Sequence, residues 1–504
     1  MNAPLAWTLF GLYLVATFWL AWLGHKRTKS FAEFALGKRD MGPWLTGMTL
    51  GACLASTATF VINPGFVYKW GLPALVALTA PLILGIFAGL FLLGAGFRRH
   101  GARAVTLPAW LGERYGSEGL RVWFAALSLL HVFYMVLIVV GAALVMQHTM
   151  GVSYHTGVLV TVAVVFSYVF FGGTYAHAYT NTAQGAVMLV VAFLIAGAAL
   201  RDIGGPASAA EALRTQDPAL VALTNPASPF YRHWVEVLVA PFAIGFALVA
   251  QPHLLVKALY LKDAKDMAKF SLVGGSCFVI FCLVLLSGLA ARVKLGADLP
   301  QDAAASAWIA GAFPPAMGAF VSVAVLAAAM STLDGLLVAV SAIVGADLIG
   351  HPALAKRLGA TDEAARQRTA LHAGRAAVVL LGLVSYLIAK SPPALVGIFG
   401  TVGTYGLLVA SLPALVWGVV LRRPPSALGV GLASAIGLGV HLGLCSWHYA
   451  VHANWNVNTG LTALAGLVAA LPTPFLVDGV RALVGRGAEA SSEGAPSHEE
   501  LVAV

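Results

Sequence analysis

Apolar runs of about 20 residues recur from one end of this chain to the other, each long enough to cross a hydrocarbon layer of roughly 30 Å. Inside such a layer every backbone N–H and C=O must be paired within the protein, so continuous apolar runs of this length are helices. Only 10% of the residues are charged, against about 25% in an ordinary soluble domain. The sequence therefore describes an all-α polytopic membrane protein with no soluble domain of useful size. The runs give thirteen spans, with limits near 5–24, 44–68, 72–96, 120–147, 155–171, 183–200, 234–255, 270–291, 317–348, 374–390, 395–420, 427–449 and 457–480.

Charge placement orients the spans. If Met1 lies outside, 23 of the 30 Lys and Arg residues fall on inner loops and the tail. That asymmetry predicts the N-terminus outside and the C-terminus in the cytoplasm of a bacterial inner membrane. It also accounts for the net charge of +9 without a nucleic acid or any other acidic partner. The basic cluster 25–29 follows the first apolar run instead of preceding it, which reads as an uncleaved first span and not a secretory signal. Cys53, Cys277, Cys282 and Cys445 fall inside spans with no metal-ligand or disulfide spacing. Residues 483–504 are polar and rich in Ser and Gly, a composition expected of a disordered tail.

Two spans are interrupted. In the second, the small, polar run Gly51–Thr57 is followed by Asn63-Pro64-Gly65; in the seventh, Pro241 and Gly245 lead to Gln251-Pro252-His253. With the first span set aside, these are helices one and six of two five-helix halves. Paired interruptions of that kind point to a transporter site built from broken helices; simple packing is the alternative, since Gly and Pro are common in membrane helices.

A second feature is Ala328, Ser331 and Thr332, spaced i, i+3, i+4 on one helix face. Two hydroxyls beside loosened carbonyls make an oxygen-only site suited to a hard cation such as Na⁺. Alternatively, these hydroxyls bond their own or a neighbouring backbone, and the pair alone does not decide between the two.

Four segments carry a family resemblance: Gly37–Gly42 with Ala52–Ser56 and Pro64-Gly65; Phe171-Gly172-Gly173 with Thr180–Gly185; Gln251-Pro252-His253; and Ala328–Leu333 with Asp347-Leu348. Trp417, Arg422-Arg423 and Gly429 add to it. Together they make the chain resemble the sodium:solute symporter family over roughly residues 5–480. The resemblance implies a LeuT-type core of five-plus-five inverted repeats. On that layout 1–43 is an extra first helix and basic loop, 44–200 the first repeat, 201–233 an outer loop, 234–421 the second repeat and 422–482 two peripheral helices. It also implies a Na⁺ site made by the carbonyls of Ala52, Ala55 and Ala328 and the hydroxyls of Ser331 and Thr332. Two departures stand out. The family's fifth core helix usually begins Thr-Asp where this chain has Thr180-Asn181, and Asp334 stands where relatives mostly have Ser or Thr. A carboxylate inside a span is costly and functional by default, so Asp334 and Asn181 are candidates for a second-ion or coupling site, with a structural hydrogen bond as the alternative.

For the solute, Asn63, Gln251, Thr401 and Tyr405 are the candidate contacts, with His131 and Tyr134 able to face the same space. Thr79 is almost the only polar residue of the third span, and a polyol would leave hydroxyls unpaired there, so a carboxylate, amino acid or vitamin-like solute is expected ahead of a sugar. Proline carriers place aromatic residues before Gln-Pro-His, where this chain has Ile244 and Leu248. The expected function is Na⁺-coupled symport into the cell by alternating access, with solute and lipid bilayer as partners and a single chain as the working unit. A proton-coupled carrier using Asp334, or a transporter-like sensor, are the alternatives. No intramembrane nucleophile–base pair suggests an enzyme.

Overall fold

The computed structural model describes residues 3–28, 30–100, 104–360, 362–393, 395–454 and 456–493, and within them the chain is helical almost throughout. Among the described residues ten helices are long and apolar enough to cross a membrane, and two bent pairs, each taken as one span, raise the number to twelve. The expected span near 155–171 is the helix Tyr154–Phe170, which falls short of that length. It is cut off from the next helix by Gly173, whose φ of 71° and ψ of −169° break the helical run. An L-residue is strained there, and a Cβ would meet Phe34 Cδ2 at 2.8 Å.

The elements that build the site are α1 (Ala3–Arg27), α2 (Pro43–Leu54), α3 (Asn63–Trp70), α4 (His131–Met150), α5 (Gly173–Ile203), α6 (Val235–Leu248), α7 (Pro252–Leu259), α8 (Pro315–Ile343), α9 (Val396–Val420) and α10 (Thr459–Val484). The two interruptions read from sequence are real breaks. α2 and the following helix meet at 49°, and α6 and α7 at 58°. At the first break Ala55 leaves the helical region (φ −103°, ψ 115°), and a π turn over Ala58–Ile62 leads into α3. At the second, Gln251 is extended (φ −68°, ψ 129°) because Pro252 follows it.

α8 is the centre of the bundle. Of its apolar window 94% is buried, against 22% for α1. Its Ala- and Val-rich sequence lets α2, α4 and α5 pack close on several sides. Close approach elsewhere is made by Gly85 and Gly245, where a Cβ would lie 2.2 Å from Phe242 O and 2.1 Å from Leu82 O. The four cysteines are free and buried. The last helix is described as far as Glu493, and residues 494–504 lie outside the described residues. The last span begins in the wall of the central cavity.

Candidate functional site: an oxygen cage beside a cavity

The break after α2 faces the middle of α8. The Ser331 hydroxyl lies 3.1 Å from Ala52 O and 2.8 Å from Ala328 O, and the Thr332 hydroxyl lies 3.3 Å from both Cys53 O and Ala55 O. All five residues expected to hold Na⁺ are fully buried and gathered at one point. The reason is local. A bent helix frees carbonyls that an unbroken one would pair, and the i, i+3, i+4 face of α8 supplies hydroxyls opposite them. Each hydroxyl donates one proton to a carbonyl, and a cation entering the cage would take these oxygens over without new side chains. The donor set is hard oxygen only, which suits an alkali cation and not a transition metal.

A cavity of about 190 Å³ opens beside the cage. Cys53 and Leu54 of the break line it, together with residues of α3, α4, α6, α9 and α10. Asn63, Gln251, Thr401 and Tyr405, all four solute candidates, lie in its wall, as does Tyr134. His131 stands behind His253, with ring centroids 5.3 Å apart. Gln251 Oε1 and His253 Nδ1 are buried with no hydrogen-bond partner. The Thr401 hydroxyl, by contrast, is engaged with Gly397 O, Ile398 O and the Thr459 hydroxyl at 2.9–3.1 Å. The remaining wall is apolar, including Leu82, Ile86, Leu137, Ile244 and Leu248. Among the described residues neither Lys nor Arg lines the cavity, and Glu236 is the one carboxylate there; that group already accepts from the Arg232 and His233 backbone N–H groups and the Arg232 guanidinium.

Asp334 is fully buried and faces α5. Its Oδ1 is 2.8 Å from His177 Nδ1, and its Oδ2 is 3.2 Å from the Thr180 hydroxyl and 3.4 Å from the Tyr168 hydroxyl. Asn181, the other departure, makes no hydrogen bond to Asp334 among the described residues. Its Nδ2 donates to Ser331 O (2.9 Å) and Cys53 Sγ (3.1 Å), while its Oδ1 has no partner. Sequence reasoning missed His177. The signal was present, since His177 and Asn181 are four residues apart and share one face of α5. It also missed Cys53, whose carbonyl faces the cage, whose thiol packs against Asn181 and Ser331 O, and which is among the residues lining the cavity. On the basic-loop side, Asp347 is held by Arg121 Nε at 2.8 Å and the Thr106 hydroxyl at 2.5 Å.

Comparison with known proteins fits this geometry. The model of the sodium:solute symporter family matches residues 34–424. The sodium/pantothenate symporter of Escherichia coli (strain K12) is 31% identical over 464 residues, covering 88% of this chain and 90% of the relative. The osmoregulated proline transporter OpuE of Bacillus subtilis (strain 168) is 25% identical over 393 residues, 76% of this chain and 77% of the relative. Among solved structures, a substrate-bound, outward-open Na⁺-coupled sialic acid symporter superposes with a TM-score of 0.75 at 15% identity, over 94% of this chain and 97% of that one. Mhp1, a nucleobase-cation-symport-1 family transporter in a closed conformation, gives 0.58 at 15% identity, over 90% and 94%. At such identities the superpositions speak for the LeuT-type fold alone. With a broken-helix oxygen cage, a cavity beside it and a family match over most of its length, the chain belongs to the sodium:solute symporter family: an integral membrane carrier, not an enzyme, that couples Na⁺ to the movement of a small organic solute.

Proposed function

We propose that this carrier brings a small carboxylate, amino acid or vitamin-like solute into the cell together with Na⁺. Na⁺ is held by the carbonyls of Ala52, Ala55 and Ala328 and the hydroxyls of Ser331 and Thr332. The solute occupies the 190 Å³ cavity, which lies below the roughly 300–1,000 Å³ of drug-sized pockets and limits the solute to a small molecule. The observation that carries the reading is that cage and cavity share one helix break: Ala52, Cys53 and Ala55 turn carbonyls to α8, and Cys53 and Leu54 are also among the residues lining the cavity. An ion fixing the break therefore shapes the wall the solute meets.

The apolar walls suit a solute with an aliphatic body, and Gln251, His253, Tyr134 and Tyr405 supply neutral hydrogen-bonding groups. Asn63 lies in the same wall, and Thr401 acts there as part of the frame because its hydroxyl is already spoken for. With no Lys or Arg in the wall, a carboxylate is held by neutral donors and by the nearby cation. A pantothenate-like molecule meets these requirements, and the sodium/pantothenate relative supports the class. Asp334 serves the cation at a distance: both its oxygens are engaged, so it stabilises positive charge through the His177 pair in place of ligating a second ion. Asn181, with its free Oδ1, is the residue beside the cage still able to accept a ligand. Thirteen spans in a five-plus-five layout, N-terminus outside and C-terminus in the cytoplasm, complete the proposal, with one chain holding both sites.

The test is uptake into proteoliposomes under an imposed Na⁺ gradient or an imposed H⁺ gradient. The solutes are pantothenate, proline, a short monocarboxylate and glucose. Na⁺-driven uptake of one of the first three is expected. Uptake driven by H⁺ and indifferent to Na⁺ would transfer the coupling role to Asp334 and His177 and end the Na⁺ reading; glucose as the transported solute would end the solute reading.

A further inference from the structure

We propose that Asn458 and Thr459, at the start of the last span, are positioning residues of the solute gate: they latch a turn of the long loop across the cavity mouth. The inference rests on the cavity being the solute site, and it assigns a working part to a helix whose sequence reads as peripheral.

The turn is 225–231. Asn225 organises it: its backbone N–H donates to Tyr231 O at 2.8 Å, its carbonyl accepts from Ser228 N at 2.9 Å, and its Oδ1 accepts from Ala227 N at 3.1 Å. The Ser228 hydroxyl accepts from Phe230 N at 3.1 Å. Asn225 and Ser228 are buried, so the turn is stiff and moves as one piece. It presents Phe230 and Tyr231 to the cavity. The Phe230 ring meets the rings of Phe66 (5.6 Å) and Trp70 (6.4 Å) edge-on, both on α3, the far half of the broken helix. The turn therefore leans on the element that bends at the Na⁺ cage.

What holds it there is α10. Asn458 Nδ2 donates to Phe230 O at 2.9 Å, while Asn458 Oδ1 accepts from Leu461 N at 3.0 Å and caps the helix. The next residue, Thr459, shares a 2.9 Å hydrogen bond with Thr401 on α9. Two consecutive side chains thus tie the loop, the last span and the cavity wall together, and Asn458, Thr459 and Gly460 themselves line the cavity. Phe230 cannot leave the mouth without releasing Asn458.

Asn458 has two separable jobs. Asp caps a helix about as well as Asn but cannot donate to Phe230 O, so Asn458→Asp keeps the helix start and breaks the latch. The readout is alkylation at position 244 in an Ile244→Cys background, Ile244 being a buried residue of the same cavity wall; the rate is followed in the full-length, detergent-solubilised protein by peptide mass spectrometry with Na⁺ present. Losing one ordinary hydrogen bond is expected to raise the open fraction, and so that rate, about 3–10-fold. Thr459→Val should act in the same direction with thermal stability close to the parent's, and Phe230→Ala should raise the rate while lowering stability, because its ring is buried. If Asn458→Asp does not fold, Thr459→Val decides. Rates at position 244 within twofold of the parent in Asn458→Asp and Thr459→Val overturn the latch, whether or not Phe230→Ala raises the rate. The alkylation needs no transport, so Na⁺-indifferent uptake would sink the proposed coupling without touching this result.

Discussion

Replacing Thr332 with Val removes one oxygen from the cage and leaves its shape almost unchanged. The Thr332 hydroxyl is fully buried and 3.3 Å from both Cys53 O and Ala55 O. As the proposed Na⁺ ligand it makes a contact to a charged group, worth about 1.5–3 kcal/mol. Without Na⁺ it donates to one of the two carbonyls, worth about 0.5–1.5 kcal/mol. Binding loses the difference, about 1–1.5 kcal/mol, and at about 1.4 kcal/mol per decade half-saturation by Na⁺ should rise roughly 5–12-fold. Thr332→Ser keeps the oxygen and should stay within about twofold. The assay is initial solute uptake in proteoliposomes as Na⁺ is titrated, with Na⁺-dependent thermal stabilisation as a second measure. An unchanged half-saturation in Thr332→Val, or an equal rise in Thr332→Ser, would refute the cage as the ion's site.

Asp334→Asn leaves His177 buried opposite an amide. Breaking one member of a buried pair costs about 3–5 kcal/mol, so thermal stability and uptake should both fall, and adding His177→Asn should restore more than half of the lost stability. A double variant no more stable than Asp334→Asn would contradict the pair. Arg121→Gln leaves the fully buried Asp347 with Thr106 alone; its thermal midpoint should drop well beyond that of Arg366→Gln, which removes an exposed helix-surface pair with Glu363 worth under about 1 kcal/mol. Asp302 lies in the loop before α8 and accepts from Val396 N at 3.2 Å, but burial pushes its carboxyl up to about 6. Its folded pKa exceeds the unfolded value of about 3.9, so its share of stability is full below pH ~4 and lost as pH rises through ~6, by about 3 kcal/mol. Thermal midpoints across that window should fall more in the parent than in Asp302→Asn; parallel curves would reject the assignment.

The parts of this site that were legible in the sequence are those set by helix phase and by breakers. Ser331 and Thr332 share a face with Ala328 whatever the tertiary fold, and the small residues at 51–57 announce a bend because they cannot pack as an ordinary apolar turn. What a bend faces is a tertiary fact. His177 and Asp334 are separated by 157 positions, and nothing in their spacing pairs them; reading the α5 face that holds Asn181 would have put His177 beside it. The start of α10 was illegible for a similar reason. Its composition is that of any lipid-facing helix, and its role comes from Asn458 and Thr459 meeting Phe230 and Thr401, contacts that depend on how α10 crosses α9. Gly173, whose one positive φ separates Tyr154–Phe170 from the next helix, falls between the spans that the apolar runs already set apart near 155–171 and 183–200.

In the proposed reading, coupling between ion and solute follows from where the break lies. Ala52, Cys53 and Ala55 turn carbonyls to the Ser331 and Thr332 hydroxyls, and Cys53 and Leu54 are among the residues lining the cavity, so one segment meets both proposed ligands. If Na⁺ raises solute affinity by some factor, solute must raise Na⁺ affinity by the same factor. Equilibrium binding can measure both sides on the purified protein: solute affinity with and without Na⁺, and Na⁺ affinity with and without solute. Typical couplings of about 1–3 kcal/mol make the shared factor roughly 5–150. Thr332→Val should shrink that factor, because the shortened cage holds the break less firmly, while Asn458→Asp should leave it unchanged, because the latch lies at the mouth and not at the break. A coupling factor of one in the parent protein would mean that the bend transmits nothing, however well its oxygens are placed.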